Sequence, residues 1–376
     1  MKKIVFYILL TTVLSACNSD LQTIVIENPS DFDRNGEIVE VEVSDLVIDF
    51  STAFYTLKDE EENEVPYQII YEDGIADKLI FQANVPSKST VGYAFTKGVP
   101  KEVKPKTYVR YIPERKDDFA WENDLAAYRM YGPALANEYP SNGVDLWLKR
   151  TDELIVDKFY HDELKNGMSY HIDHGQGLDC YRVGHTLGAG GIAPYTSQLW
   201  IGDHYTTQRA LFAGPLRSMF TLTYDSIKVE DRYYKQSITI TVDAGSLMNK
   251  AIVRYERYDA PLKLAGGIFL HDGKGVEFIA EEHQVIAYAE EAVSDAGIPS
   301  GRNYVAVYMP DGQEIIKTDD HLLLLGNYKP DETFTYYFGG GWSKWQFPSD
   351  NDWFKAVEHF SKTKQEPLIV NIIYDW

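Results

Sequence analysis

Residues 218–258 read SMFTLTYDSIKVEDRYYKQSITITVDAGSLMNKAIVRYERY. Within them Ser218–Tyr224, Gln236–Asp243 and Ala251–Tyr258 are short runs rich in Thr, Ile, Val and Tyr, separated by polar turns. β-branched and aromatic residues fit a pleated surface, and a period of two turns one face of such a run toward a core. Similar runs recur at Leu264–Leu270, Gly275–Ile279, Gln284–Glu290, Tyr304–Met309, His321–Leu325 and Thr333–Phe338. Near-regular strands with turns between them predict a large antiparallel sandwich or barrel.

Upstream, Thr23–Glu27, Glu37–Val43, Tyr67–Tyr71, Leu79–Gln82 and Gly92–Phe95 read as strands. Glu37–Val43, EIVEVEV, alternates in steps of two, as a half-buried antiparallel strand does. Asn35-Gly36, Asp73-Gly74 and Pro86 punctuate these runs. Residues 18–100 therefore predict a small β-sandwich, and Val99–Lys106, with two prolines and three lysines, a linker. Residues 101–376 form the second unit. There Tyr108–Ile112 and Gly143–Arg150 read as strands, with Asp145 and Trp147 sharing a face. The middle of Asp117–Leu135 has helical spacing for a turn or two, and Asp152–Asp162 fits a short helix or strand. Asp352–Phe360 is the clear helix candidate, with Trp353, Val357 and Phe360 on one stripe. Leu368–Ile373 predicts a last, fully buried strand. The fold class expected is all-β, with helix under roughly a fifth of the residues.

The N-terminus is a targeting segment. Lys2 and Lys3 precede the apolar run Ile4–Leu14, too short to span a bilayer comfortably, and the run ends in Leu14-Ser15-Ala16-Cys17. This matches the lipobox of bacterial lipoproteins, with residues 1–17 as signal peptide and Cys17 as the lipidated residue. The reading is a body anchored by lipid to a bacterial membrane, periplasmic or at the cell surface, that meets the membrane only through its anchor. Cys180 is the one other cysteine, so lipidation of Cys17 leaves no intramolecular disulfide. Cys180 reads as a buried small hydrophobe. A net charge of −21 repels nucleic acid, so no nucleic-acid partner is expected.

Chemistry-bearing residues concentrate in Tyr170–Gly191, YHIDHGQGLDCYRVGHTLGAGG, which holds three of the nine histidines and six glycines. Glycine lets a backbone turn tightly or approach a ligand closely. His171, Asp173 and His174 could hold a divalent metal, the candidate cofactor, with His185 or Asp179 completing the shell. The same groups could act without metal as acid, base and orienting carboxylate, or form a polar scaffold. A second cluster is Trp121, Glu122, Asp124 and Arg129, where an aromatic ring beside charged groups suits a sugar and either carboxylate could be a base; the plainer alternative is a capping segment, with Asp117 or Asp118 as a helix N-cap and Glu122 in the first turns. A third is Gly339–Lys344, read as a rim presenting Trp342 and Lys344, or as a plain turn. Gly188-Ala189-Gly190-Gly191 opens no βαβ unit, and no GxSxG elbow is present.

At WENDLAAYRMYGPA, GVDLWLKR, YHIDHGQGLDCYRVGHTLGAGG and YYFGGGWSK the chain resembles a family of lipoproteins and secreted proteins from polysaccharide-degrading gut bacteria. The resemblance implies a part in pectin-type glycan breakdown (uronate and rhamnose containing). It also implies a large supersandwich like that of galactose mutarotases and several polysaccharide lyases. It carries no catalytic assignment, so roles rest on residue chemistry. For glycosidic cleavage of an acidic oligo- or polysaccharide, a lyase needs a base (His171, His174 or Tyr181) and cations to steady an anion (Arg129, Arg182, Arg217, Lys344). A hydrolase needs two carboxylates, from Glu122 or Asp124 with Asp173 or Asp179. A sugar epimerase or mutarotase, and a non-catalytic glycan binder using Trp121, Trp147 and Trp342, are the alternatives.

Overall fold

The computed structural model describes residues 22–137, 143–256, 261–330 and 332–374. The signal peptide and Cys17 lie outside these residues. The fold is all-β with antiparallel strands, and the described residues include two α-helices, α1 (Val156–Asn166) and α2 (Asp350–Gln365). No helix among the described residues is long and apolar enough to cross a membrane.

An eight-stranded sheet built from Thr207–Phe212, Arg217–Val229, Arg232–Asp243, Asn249–Glu256, Phe334–Trp342, Pro299–Tyr308, Val285–Val293 and Val276–Ala280, in that spatial order, is the centre of the molecule. Alternation along its strands builds two cores. Phe220, Ile240, Val253, Val305 and Phe338 face one side, where they meet Trp121 and Leu146 of a five-stranded sheet and Ile192 and Leu264 of a four-stranded sheet. Tyr304, Ala306 and Tyr308, offset by one residue, face the other side and meet Trp353, Val357 and Phe360 of α2. The helical stripe expected there is the stripe that packs.

The five-stranded sheet carries the candidate site. It runs Gly177–Asp179, Asp145–Lys149, Ala127–Met130, Asp118–Asn123, Thr107–Ile112. One face joins the central core; α1 covers the other through Val156, Phe159 and Tyr160 against Ala120, Ala127 and Trp147. The helical spacing read in Asp117–Leu135 is overturned here. Asp118–Asn123 and Ala127–Met130 are paired antiparallel strands, because burial on both faces leaves a strand with no polar stripe for a period to show.

The first sandwich stacks a sheet ordered Ile369–Ile373, Thr23–Glu27, Thr90–Lys97, Tyr55–Lys58, Glu64–Val65 on a sheet of Arg34–Glu42, Ile75–Val85, Tyr67–Glu72. Ile24, Val39, Leu57, Phe81 and Phe95 fill it. Residues 99–106 have no regular structure. The last strand departs from expectation. Ile369–Ile373 is not fully buried in the second unit but pairs with Thr23–Glu27 at the edge of the first, alternating exposed and half-buried. The glycines at 339–341 are no rim either. They lie buried in Phe334–Trp342, where a Cβ on Gly340 would come within 2.5 Å of Leu146 and one on Gly339 within 2.3 Å of the Leu247 carbonyl.

Candidate functional site

Register sets the site. Arg129 pairs with Asp145 and Trp147 with Asp179 across neighbouring strands. By the period of two, Asp118, Glu122, Arg129, Asp145, Lys149 and Asp179 then project toward α1. Every one of them is buried. Arg129 is the hub: Nε donates to Asp145 Oδ2 at 2.8 Å, Nη2 to Asp179 Oδ2 at 2.8 Å, and Nη1 to the Tyr170 hydroxyl at 3.1 Å. Asp118 lies 3.6 Å from Nη1, and the guanidinium sits over the rings of Tyr131 and Trp147. A planar fork that never loses its proton suits several carboxylates at once. Burial pushes Asp118 up to about 6, against the pull of Arg129 and Arg115. It also drives Asp179 well above the carboxylate range, helped by repulsion from Asp145. Both shifts remove negative charge from a layer with more carboxylates than cations.

Glu122 is a structural group. It takes Lys149 Nζ at 2.7 Å and the backbone amides of Ile155 and Val156, each at 2.8 Å, at the start of α1. An anion at a helix N-terminus meets the orphan amides and the positive end of the dipole. Asp124 likewise accepts from the Gly245 amide at 2.6 Å, tying a turn of the central sheet. Neither is placed as a catalytic base. Trp121, Trp147 and Trp342 are 0–1% exposed, and their indole nitrogens donate to Asn249, Asp145 and the Ser300 carbonyl. Their expected role as sugar platforms is corrected to core packing. Arg217 is also reassigned, since it bridges Asp243 and Glu40 where the first sandwich meets the central sheet. Lys344 stands over Trp342, 5.3 Å from the ring centre.

The metal arrangement is not assembled: among the described residues no three His, Cys, Asp or Glu side chains are grouped to hold an ion. Asp173 turns to Arg150 at 3.1 Å, His174 Nε2 donates to the Ser169 carbonyl at 2.9 Å, and His185 is exposed at a turn. The glycines nearby serve packing. Gly177 (φ +138°) would put a Cβ 1.9 Å from the Leu148 carbonyl, and Gly188 (φ +60°) one 2.3 Å from that of Val144.

What the structure does assemble lies along Asp179–Arg182. Two histidines bracket this segment. His171 Nδ1 donates to the Asp179 carbonyl at 3.0 Å and lies 3.5 Å from the Asp179 carboxyl. His271 Nε2 donates to the Arg182 carbonyl at 2.8 Å, while its Nδ1 faces Glu290 at 2.8 Å. A carbonyl only accepts, so each ring carries an N–H on the nitrogen that faces it: His171 in its neutral form keeps the lone pair on Nε2, and His271 has both nitrogens engaged, one by the Arg182 carbonyl and one by Glu290. Asp295 adds an exposed carboxylate 3.8 Å from His171 and 3.9 Å from Arg182. Tyr181, ring to ring with His271 at 4.9 Å, has a buried hydroxyl with no hydrogen-bond partner among the described residues. Burial pushes that hydroxyl far up, as it does the Cys180 thiol, which makes Cys180 no nucleophile.

His271, Glu290 and Asp295 were missed in the sequence because they sit far along the chain from Tyr170–Gly191. One signal was readable, a histidine in the turn His271-Asp272-Gly273 after a strand. His271 has φ +42°, a left-handed backbone that is uncommon for a residue with a side chain and clusters at functional sites.

Two solved structures match this chain at low similarity. They are an alpha-mannosidase from Enterococcus faecalis (TM-score 0.48, 9% identity, 95% of this chain and 46% of that chain) and a glycosyl hydrolase family 38 protein of the same organism (TM-score 0.46, 10%, 95% and 48%). The chain spans about half the length of each. A relative from Formosa agariphila, Uncharacterized protein P7, is 29% identical over 98% of both chains. Residues 1–18 match the prokaryotic membrane lipoprotein lipid attachment site, so the protein is lipid-anchored to a membrane. Residues 26–370 match the model described as Domain of unknown function (DUF4861), and the chain belongs to that family.

Proposed function

We propose that this lipoprotein acts on acidic, pectin-like glycans (uronate and rhamnose containing) by glycosidic-bond cleavage, with Cys17 as the lipidated residue and the Asp179–Arg182 segment as the reaction centre. The observation that carries the reading is the pair of histidine–carboxylate units on either side of that segment, His171–Asp179 and His271–Glu290. Cleavage by β-elimination needs a base at the carbon next to the carboxylate, and the His171 ring offers a lone pair there, while His271 fixes the backbone of the cation at Arg182. His171 Nε2 takes the proton next to the uronate carboxylate. Arg182, 72% exposed at the side chain, pairs with that carboxylate and steadies the anion that forms. The bond to the leaving oxygen breaks as a double bond forms in the ring, and the oxygen takes its proton from solvent water, while His271 holds the Arg182 backbone in place.

The test is a product scan with purified polygalacturonate and rhamnogalacturonan. Unsaturated products absorbing in the ultraviolet support elimination. New reducing ends without that absorbance mean hydrolysis, and binding without turnover means a glycan-binding lipoprotein. Within an active enzyme, His171→Gln lowers turnover by about 10²–10⁴ while the melting temperature barely moves. If His171→Gln melts early in step with its lost activity, His171 is scaffold and this assignment ends.

A further inference from the structure

We infer that the end of the first sandwich from which the lipid tether emerges is a bilayer-docking surface, with Val47, Phe54, Val99 and Ile75 as its inserting side chains. The strand registers place these residues together. Thr23, at the start of the first strand, lies opposite Ala94 and Ile373, so Lys97 and Tyr374 extend past it at the same end. Lys97 lies opposite Tyr55, and the Gly98 amide donates to the Phe54 carbonyl at 3.0 Å, which brings Phe54 and Val99 to that end. Gln22 is bonded on both sides to the 45–47 turn, its Nε2 to the Asp45 carbonyl and its Oε1 from the Val47 amide, each at 2.9 Å. The Tyr374 hydroxyl reaches the same Asp45 carbonyl at 3.0 Å. In the second sheet Lys78 lies opposite Glu42, just before that turn, so the Tyr71–Ile75 hairpin projects in the same direction.

These side chains are unusually open: Val99 75%, Ile75 74%, Phe54 70%, Val47 61% and Tyr374 42% exposed. Single exposed apolar residues are ordinary; a group on one end marks an interaction surface. The occupant follows from the tether. Cys17 is five residues before Gln22, and an extended chain spans at most about 18 Å over that length. A body held so close to its acyl chains presents this end to the bilayer before any other partner reaches it. With a net charge of −21 there is no long-range pull toward anionic lipid for salt to screen, so the contact rests on apolar insertion and is not weakened by salt.

The experiment uses full-length lipidated protein in phosphatidylethanolamine–phosphatidylglycerol vesicles, with lipidation checked by mass and vesicle association by flotation. In a Cys180→Ser background, Phe54→Cys or Val99→Cys carries an environment-sensitive fluorophore. Asp31→Cys, in the loop at the opposite end of the sandwich, is the control. Labels at 54 and 99 shift to the blue and are quenched by nitroxide on the lipid chains, in low and high salt alike, and the label at 31 does neither. Aqueous emission at 54 and 99 on protein that floats with the vesicles overturns the proposal. So does a blue shift without nitroxide quenching, which means that a second copy or another protein covers this end.

Discussion

Glu122 shows how one side chain can look catalytic in a sequence and be structural in the fold. Its carboxylate is held by Lys149 and two helix amides with no exposed surface on either charged partner. Truncating one member of a buried pair strands the other, so Glu122→Ala costs about 3–5 kcal/mol in a denaturant titration. A loss under about 1 kcal/mol with abolished turnover would return Glu122 to the list of catalytic candidates. Asp118 gives the site a pH signature. Its carboxyl is raised from 3.8 to about 6, so the folded state favours the protonated form. That contribution is fully present below pH 3.8 and is lost as pH rises through about 6. The stability of the native chain relative to Asp118→Asn therefore falls by about 3 kcal/mol between pH 3.8 and pH 7. A difference that stays constant over this range is inconsistent with a carboxyl buried beside Arg129 and Asp145.

Elements depend on local devices that the sequence announces unevenly. Ser349 and Asp352 form a reciprocal capping box at the start of α2. Ser349→Ala removes it at a cost of about 0.5–2 kcal/mol, read as a lower denaturation midpoint with an unchanged slope. Gly177 is a different case. Alanine there meets the Leu148 carbonyl at 1.9 Å with φ at +138°, so Gly177→Ala should destabilise by more than about 1 kcal/mol and loosen the strand that carries Asp179. If Gly177→Ala melts like the native chain, the strand has room that the structure does not show. Strands with one polar face, such as Glu37–Glu42, were legible because alternation is written in the residues. Asp118–Asn123 and Ala127–Met130, buried on both faces, show no period, so a local helical spacing outvoted them.

At the scale of the molecule the two sandwiches are joined by Arg217, which holds Glu40 of the first and Asp243 of the central sheet. Arg217→Ala should cost between the ~1 kcal/mol of an exposed pair and the ~3–5 kcal/mol of a buried one. It should also speed limited proteolysis in residues 99–106. If cleavage there is slow in both proteins while other loops are cut, that segment is not a boundary between units. The sequence by itself determined the all-β class, the helix α2 and the lipid attachment, because turn residues, the stripe Trp353–Val357–Phe360 and the lipobox are local patterns. It also grouped His171, Asp179, Tyr181 and Arg182, which lie together in the chain and stay together in the fold. Only the tertiary structure decided which polar groups face one another. Arg129 meets Asp145 and Asp179 through strand register, and His271, held by Glu290, reaches Tyr181 and Arg182 across the chain. Tryptophans that could have served as binding platforms went into cores, because burial depends on what packs against a face, and that partner is distant in sequence.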